Sequence, residues 1–140
     1  MRVLGVDPGG TTGLCILDCN PEEPKVWLVE SHQLGLEETF RWLHDDLPLL
    51  AINGIGIERF TFTNRTTKLT AQYDAMYVIG AVLSFAVNNE LPIRLQSPAN
   101  AKTAYQNDHL HELGIDVKGP HAKDAARHSL LYLRTVTNRV

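Results

Sequence analysis

The chain has only two cysteines, Cys15 and Cys19, among its 140 residues. Four positions apart on what reads as a strand, their Cα atoms lie about 13 Å apart at ~3.3 Å per residue, too far for a disulfide. A lone Cys-x-x-x-Cys also lacks zinc-site spacing, so both read as small hydrophobes on one side of a strand. Long apolar runs are missing too. The longest, Ala75 to Val87, has 13 residues and carries Ser84, short of the roughly 18 that a membrane span requires. The opening Met1-Arg2-Val3-Leu4-Gly5-Val6-Asp7 interrupts its apolar residues with a glycine and an acid, unlike a signal peptide. A cytoplasmic protein with no membrane partner is expected. Repeats, linkers and low-complexity segments are absent. With 44% hydrophobic and 21% charged residues, composition excludes disordered, collagen-like and coiled-coil chains. The length suits one domain, residues 1–140.

Basic residues are scarce in the first part of the chain. Met1 to Glu58 holds three (Arg2, Lys25, Arg41) against ten acidic ones, a net of −7, whereas Arg59 to Val140 holds ten against six, a net of +4. The overall −3 and pI near 6.0 argue against a nucleic-acid binder, but the asymmetry permits a basic face on an acidic protein. Two halves that merely solvate different surfaces explain it equally well.

Short apolar runs at Arg2 to Val6 and Thr12 to Leu17 flank Asp7-Pro8-Gly9-Gly10, which reads as two strands joined by a tight turn. Lys25 to Gln33 reads as a third strand. Leu36 to Leu50 carries Phe40, Leu43, Leu47 and Leu50 at helical spacing. Ile52 to Ile57 is a fourth strand ending at Glu58, and after a helical crossover it can run parallel to the first. Phe60 to Gln72 is a polar loop, Tyr73 to Asn89 an apolar helix, and Pro92 to Leu95 a fifth strand. Short helices and loops fill Ser97 to Gly114, and a final helix starts near Gly119-Pro120. The helix Tyr73 to Asn89 is apolar around most of its circumference, which fits either a partner subunit on one side or burial within its own domain.

Asp7 and Glu58 thus end parallel strands, and His121-x-x-Asp124 opens the last helix with both side chains on one face. Clustered carboxylates repel one another unless a cation sits among them, and hard oxygen donors favour Mg²⁺ or Mn²⁺. Two such ions can activate water and stabilise a departing phosphodiester oxygen, so metal-dependent nuclease chemistry is expected. Taken singly, Asp7 reads as a turn carboxylate, Glu58 as a partner of Arg59, and His121 and Asp124 as helix-start residues.

Gly5-Val6-Asp7-Pro8-Gly9-Gly10-Thr11-Thr12-Gly13, then Ile57-Glu58-Arg59, then Asn89-Glu90-Leu91-Pro92-Ile93, then His121-Ala122-Lys123-Asp124-Ala125-Ala126 occur in the order found in RuvC-type Holliday junction resolvases. The resemblance spans nearly the whole chain. It implies an α/β, ribonuclease H-like fold with a five-stranded mixed sheet in the order 3-2-1-4-5. It also implies a homodimer that cuts four-way DNA junctions with two Mg²⁺ ions per site, Mn²⁺ able to substitute, leaving 5′-phosphate and 3′-hydroxyl ends. By motif, the catalytic and metal-binding positions fall on Asp7, Glu58, His121 and Asp124. The first position of the last motif is Asp or His in the family, and His121 would place the nucleophile or protonate the leaving oxygen. The helix Tyr73 to Asn89 resembles the family's dimer helix. Lys102 matches a basic position near the scissile phosphate, with Arg59, Arg65, Lys68, Lys118, Lys123 and Arg127 as further phosphate contacts. Phe60 and Phe62 flank Thr61, the position where the family places an aromatic residue at the junction centre; each fits base stacking or the core.

The segment from Lys102 to His121 is shorter than in typical bacterial members, and the chain is more acidic. This compactness resembles phage-encoded resolvases, which implies action on other branched DNA and, in that case, a host cytoplasm. Two other readings stay open: a YqgF-type nuclease of ribosomal RNA maturation, and a DNA-junction binder without catalysis. The turn after Asp7 also resembles the phosphate-binding turn of sugar kinases and actin-like ATPases, but those need a second domain and a cleft.

Overall fold

The structure, a computed structural model, describes residues 1–23, 25–61 and 69–138. Its strands are β1 (Arg2–Asp7), β2 (Thr11–Asn20), β3 (Lys25–Gly35), β4 (Gly54–Glu58) and β5 (Ile93–Gln96). Its helices are α1 (Leu36–Asp45), α2 (Leu69–Asn88), α3 (Pro98–Ala104), α4 (Asn107–Glu112) and α5 (Pro120–Thr137), with a 3-10 turn at Leu47–Leu50. The strands form one sheet in the order β3-β2-β1-β4-β5. The first three make an antiparallel meander, and β4 and β5 join parallel to β1. This is the order that the resemblance implied.

Strand alternation divides the core in two. Leu4, Val6, Leu14, Ile16, Ile55 and Ile57 face α1 and α2, where Trp42, Leu43, Val78 and Val82 cover them. Val3, Cys15, Leu17 and Cys19 face the other way, under Ala122, Ala125, Ala126, Leu130 and Leu133 of α5. Both cysteines are buried and free on that one side, and burial pushes the Cys15 thiol well up.

Three details differ from the sequence expectation. The helix expected over Leu36 to Leu50 ends at Asp45, because Pro48 has no N–H and its ring excludes the preceding turn, so the chain tightens into the 3-10 turn. Phe40 is exposed, and Trp42 takes the core position instead. In α2, Ala75, Val78, Ile79, Val82 and Ala86 are buried while Tyr73, Met76, Tyr77 and Val87 are exposed, so the helix is not buried all round within this chain.

The α5 face of the sheet carries glycine where it carries no core side chain. A Cβ at Gly5 would stand 1.9 Å from the Ala125 carbonyl oxygen, and one at Gly13 would stand 2.0 Å from that of His121. The α5 backbone therefore rests directly on β1 and β2, and the Ser129 hydroxyl donates to the Cys15 carbonyl at 2.9 Å. Gly5→Ala and Gly13→Ala are each expected to lower the unfolding free energy by about 1–3 kcal/mol or more. A Cβ at Gly10 meets only the Asp74 carboxylate, at 3.5 Å, so Gly10→Ala should stay within about 0.5 kcal/mol. Urea denaturation of the three variants checks this, and equal losses would contradict the close approach.

Candidate active site

β1 and β4 run parallel with Val6 opposite Ile57, so the next residues, Asp7 and Glu58, leave the sheet at the same end. Both lie in the alternation phase of Gly5 and Gly56, and so on the α5 face. Asp7 is 8% exposed.

The start of α5 is held over these carboxylates. Its N-cap, Gly119, has φ 91, a left-handed conformation open mainly to glycine. A Cβ there would also strike the Gln33 side chain at 2.3 Å. Gln33, at the end of β3, accepts through Oε1 from the N–H of His121 (2.8 Å) and of Ala122 (3.3 Å), capping the helix from the neighbouring strand. His121 Nδ1 then lies 2.9 Å from Asp7 Oδ2 and donates to it.

Burial raises the Asp7 pKa to about 6, with Glu58 and Asp124 adding to the rise and the His121 hydrogen bond opposing it. Asp7 is therefore within electrostatic reach of both other carboxylates. Asp124 is the best neutralised: Arg127 Nη1 donates to its Oδ1, and Lys102 Nζ lies 3.1 Å from its Oδ2. Glu58 accepts through Oε2 from His128 Nε2 at 3.3 Å, and the Gln96 amide backs the same ring at 2.8 Å.

Asp7 is thus hydrogen-bonded to His121 and lies within electrostatic reach of Glu58 and Asp124. Arg59 is exposed, with its backbone N–H donating to the Gln96 carbonyl at 2.7 Å. Lys102 and Lys118 are exposed, and Lys123 is half-buried. Lys102, Gln106, Asn107, Lys123, Asp124 and Arg127 line a cavity of about 600 Å³ that takes in Asp124 but neither Asp7 nor Glu58. Arg127 departs from its expected role as a phosphate contact. It is 8% exposed, and its guanidinium is used within the chain: Nε donates to the Tyr105 carbonyl at 2.8 Å, Nη2 to Asn107 Oδ1 and Nη1 to Asp124. Phe60 packs half-buried against the α1 and α2 core, the position that stacking on DNA would have to give up. Phe62, Arg65 and Lys68 lie outside the described residues. The sequence reading missed Gln33, Gln96 and His128, because each acts through a partner distant in sequence. The one available signal was two amides at strand ends, beside the carboxylate-bearing ends.

The donor set of one imidazole and three carboxylates fits a hard divalent cation, which would offset both the burial that chiefly raises the Asp7 pKa and the smaller push from Glu58 and Asp124. Among the described residues, no three His, Cys, Asp or Glu side chains close on one point as metal ligands. Lys102 and Arg127 take up both Asp124 oxygens instead.

No family model matches the chain, and no curated protein matches it in sequence. Solved structures do match. RuvC of Thermus thermophilus in complex with Holliday junction substrate is 20% identical, with a TM-score of 0.76 over 98% of both chains. The fowlpox virus Holliday junction resolvase is 13% identical, with a TM-score of 0.65 over 97% of this chain and 99% of that one. The yeast mitochondrial Holliday junction resolvase is 13% identical, with a TM-score of 0.63 over 94% and 77%. At these identities the likeness establishes the fold, which is ribonuclease H-like. Within that class, the arrangement of sheet and helices is the one shared by RuvC and the viral and mitochondrial resolvases.

Because the folded pKa of Asp7 lies above its ordinary 3.8, the folded chain keeps a proton that the unfolded chain has released. Unfolding free energy of the metal-free protein should therefore fall as pH rises from about 4 to about 6, by roughly 2–3 kcal/mol in all. Asp7→Asn should lose this slope and be the more stable protein at about pH 8. Denaturation in chelator across that range tests it; parallel curves for the two proteins would contradict the burial cost.

Proposed function

We propose that the chain is a structure-selective DNA endonuclease, a single nuclease domain that resolves four-way junctions and cuts other branched DNA in the cytoplasm. The observation that carries this is the meeting of Asp7, Glu58, His121 and Asp124 at one sheet end, in a fold whose solved neighbours include RuvC bound to a Holliday junction substrate. No helix among the described residues is long and apolar enough to cross a membrane.

Asp7, Glu58, His121 and Asp124 would hold Mg²⁺, or Mn²⁺ in its place, two ions per site, which supply charge neutralisation and an activated water for in-line displacement at phosphorus. The chain's own residues do the rest. The Asp7 carboxylate accepts from His121 Nδ1–H, and that tautomer leaves Nε2 with a lone pair suited to holding a cation or taking the proton of the attacking water. Lys102, exposed and 3.1 Å from Asp124 Oδ2, is placed to leave Asp124 for a phosphate oxygen, with Arg59, Lys118 and Lys123 contacting the backbone further out. Cleavage breaks the P–O3′ bond and gives 5′-phosphate and 3′-hydroxyl ends.

The partner is a second copy through α2, supported by the solvent-facing stripe of Tyr73, Met76, Tyr77 and Val87, which are 53%, 40%, 59% and 75% exposed. Two sites then address opposed strands of one junction.

Incubation with labelled four-way junction, flap, linear duplex and structured RNA should give paired junction nicks only with Mg²⁺ or Mn²⁺. Asp7→Asn and Glu58→Gln should each cut more slowly by roughly 10³-fold or more. Cleavage of RNA alone would favour the ribosomal RNA reading, and tight junction binding without cleavage in any metal would leave a binder. In a separate test, Tyr77→Glu should sediment as a monomer and yield single rather than paired nicks; an unchanged sedimentation coefficient would remove α2 as the interface.

A further inference from the structure

His128 lies outside every motif in the chain, yet its side chain is among the most deeply enclosed polar groups, 1% exposed. Its Nε2 faces Glu58 Oε2 at 3.3 Å, and its Nδ1 faces the Gln96 side-chain amide at 2.8 Å. A neutral imidazole carries one N–H, and its partners decide which nitrogen holds it. Here the decision traces back to backbone groups whose polarity is fixed. Gln96, 7% exposed, lies against α5 between the Tyr132 N–H, which can only donate, and the His128 carbonyl, which can only accept. One orientation of the amide satisfies both. As placed, Oε1 is the amide atom 2.8 Å from His128 Nδ1; with the amide turned over, Oε1 would accept from the Tyr132 N–H at 3.2 Å, while Nε2 would donate to the His128 carbonyl at 3.1 Å and to His128 Nδ1 at 2.8 Å. Nδ1 is then an acceptor, the ring proton sits on Nε2, and that N–H is directed at Glu58. Gly56 makes the room: a Cβ there would stand 2.5 Å from the His128 carbonyl oxygen and 3.0 Å from the Gln96 amide.

The structure assigns His128 and Gln96 as positioning residues for Glu58. They form a relay running from the α5 backbone through amide and imidazole to carboxylate oxygen Oε2. The relay fixes the Glu58 rotamer and leaves the other oxygen, Oε1, for the chemistry. Outer-sphere partners of this kind orient the groups that do the work, and their loss typically costs 10–100-fold. The assignment rests on Glu58 being catalytic, and adds the device that holds it.

Nitrogen-15 histidine NMR of the metal-free protein reads the relay without reference to activity. The His128 ring, identified as the signal lost in His128→Gln, should show a proton on Nε2 and a bare Nδ1. Gln96→Leu, which removes the partner at Nδ1 while Glu58 still accepts at Nε2, should raise the share of the minor tautomer above its wild-type level. A proton on Nδ1, or a mixture in the wild type, overturns the assignment. In cleavage assays His128→Leu should lose about 10–100-fold in kcat, with junction affinity measured in Ca²⁺ unchanged. His128→Gln, whose amide N–H still reaches toward Glu58, should recover most of it. Equal losses in both variants would mean that His128 only packs, and full activity in His128→Leu would mean that Glu58 needs no support; either overturns it. Full activity in Glu58→Gln would instead remove the catalytic reading of Glu58, with the tautomer result standing apart from it.

Discussion

The close approach of the α5 backbone to the sheet is the constraint on which the rest depends. Gly5 and Gly56 are register partners on adjacent strands, and Gly13 is the partner of Asp7. Together they strip side chains from the strip of sheet where α5 lies. Helix carbonyls come within reach of strand backbone only because of that strip. Since side chains alternate along a strand, the face that carries these glycines also carries Asp7 and Glu58 two residues beyond. The same geometry therefore brings α5 close and puts the carboxylates beneath it. On α5, His121 reaches Asp7 at the end of β1 and His128 reaches Glu58 at the end of β4, with Asp124 between them in the helix.

Bringing three carboxylates together is electrostatically unfavourable, and the structure spreads that cost unevenly. Asp124 is neutralised by Arg127 and Lys102, and Glu58 is hydrogen-bonded by a buried imidazole. Asp7, the most buried, has His121 as its side-chain partner among the described residues and keeps a pKa of about 6. The site is thus arranged around one under-compensated carboxylate at the centre of the sheet, which is where a cation would be most favoured. The charge asymmetry of the chain takes on a spatial meaning here. Asp7 and Glu58 come from the acidic first part. Lys102 and Arg127, which pair with the neighbouring Asp124, come from the basic second part.

Much of the fold was readable from sequence because it rests on local rules. Alternation marked β1, β2 and β4, helical spacing marked α2 and α5, and the order of short motifs pointed to sheet order 3-2-1-4-5. The errors arose where local pattern and tertiary contact diverged. Periodicity carried α1 through Leu50, but Pro48 broke the turn, and Phe40 fitted the apolar stripe while Trp42 filled the space. Arg127 looked like any surface cation, yet it is held by Tyr105, Asn107 and Asp124, contacts that form only once α3 and α4 fold back onto α5.

At the site, the sequence alone determined which candidate groups share one end of the sheet. Asp7 and Glu58 had to emerge together because parallel strands share an end, and His121 and Asp124 had to share a face because they are three apart on a helix. Only the tertiary structure decided how those groups are supported: Gln33 capping α5 from β3, Gln96 and His128 behind Glu58, and Arg127 inward rather than toward a phosphate. The reason is distance along the chain. Spacing within one element is set by backbone geometry and can be read from a string of residues. A hydrogen bond between residues 70 or 88 positions apart exists only after packing has brought two elements together.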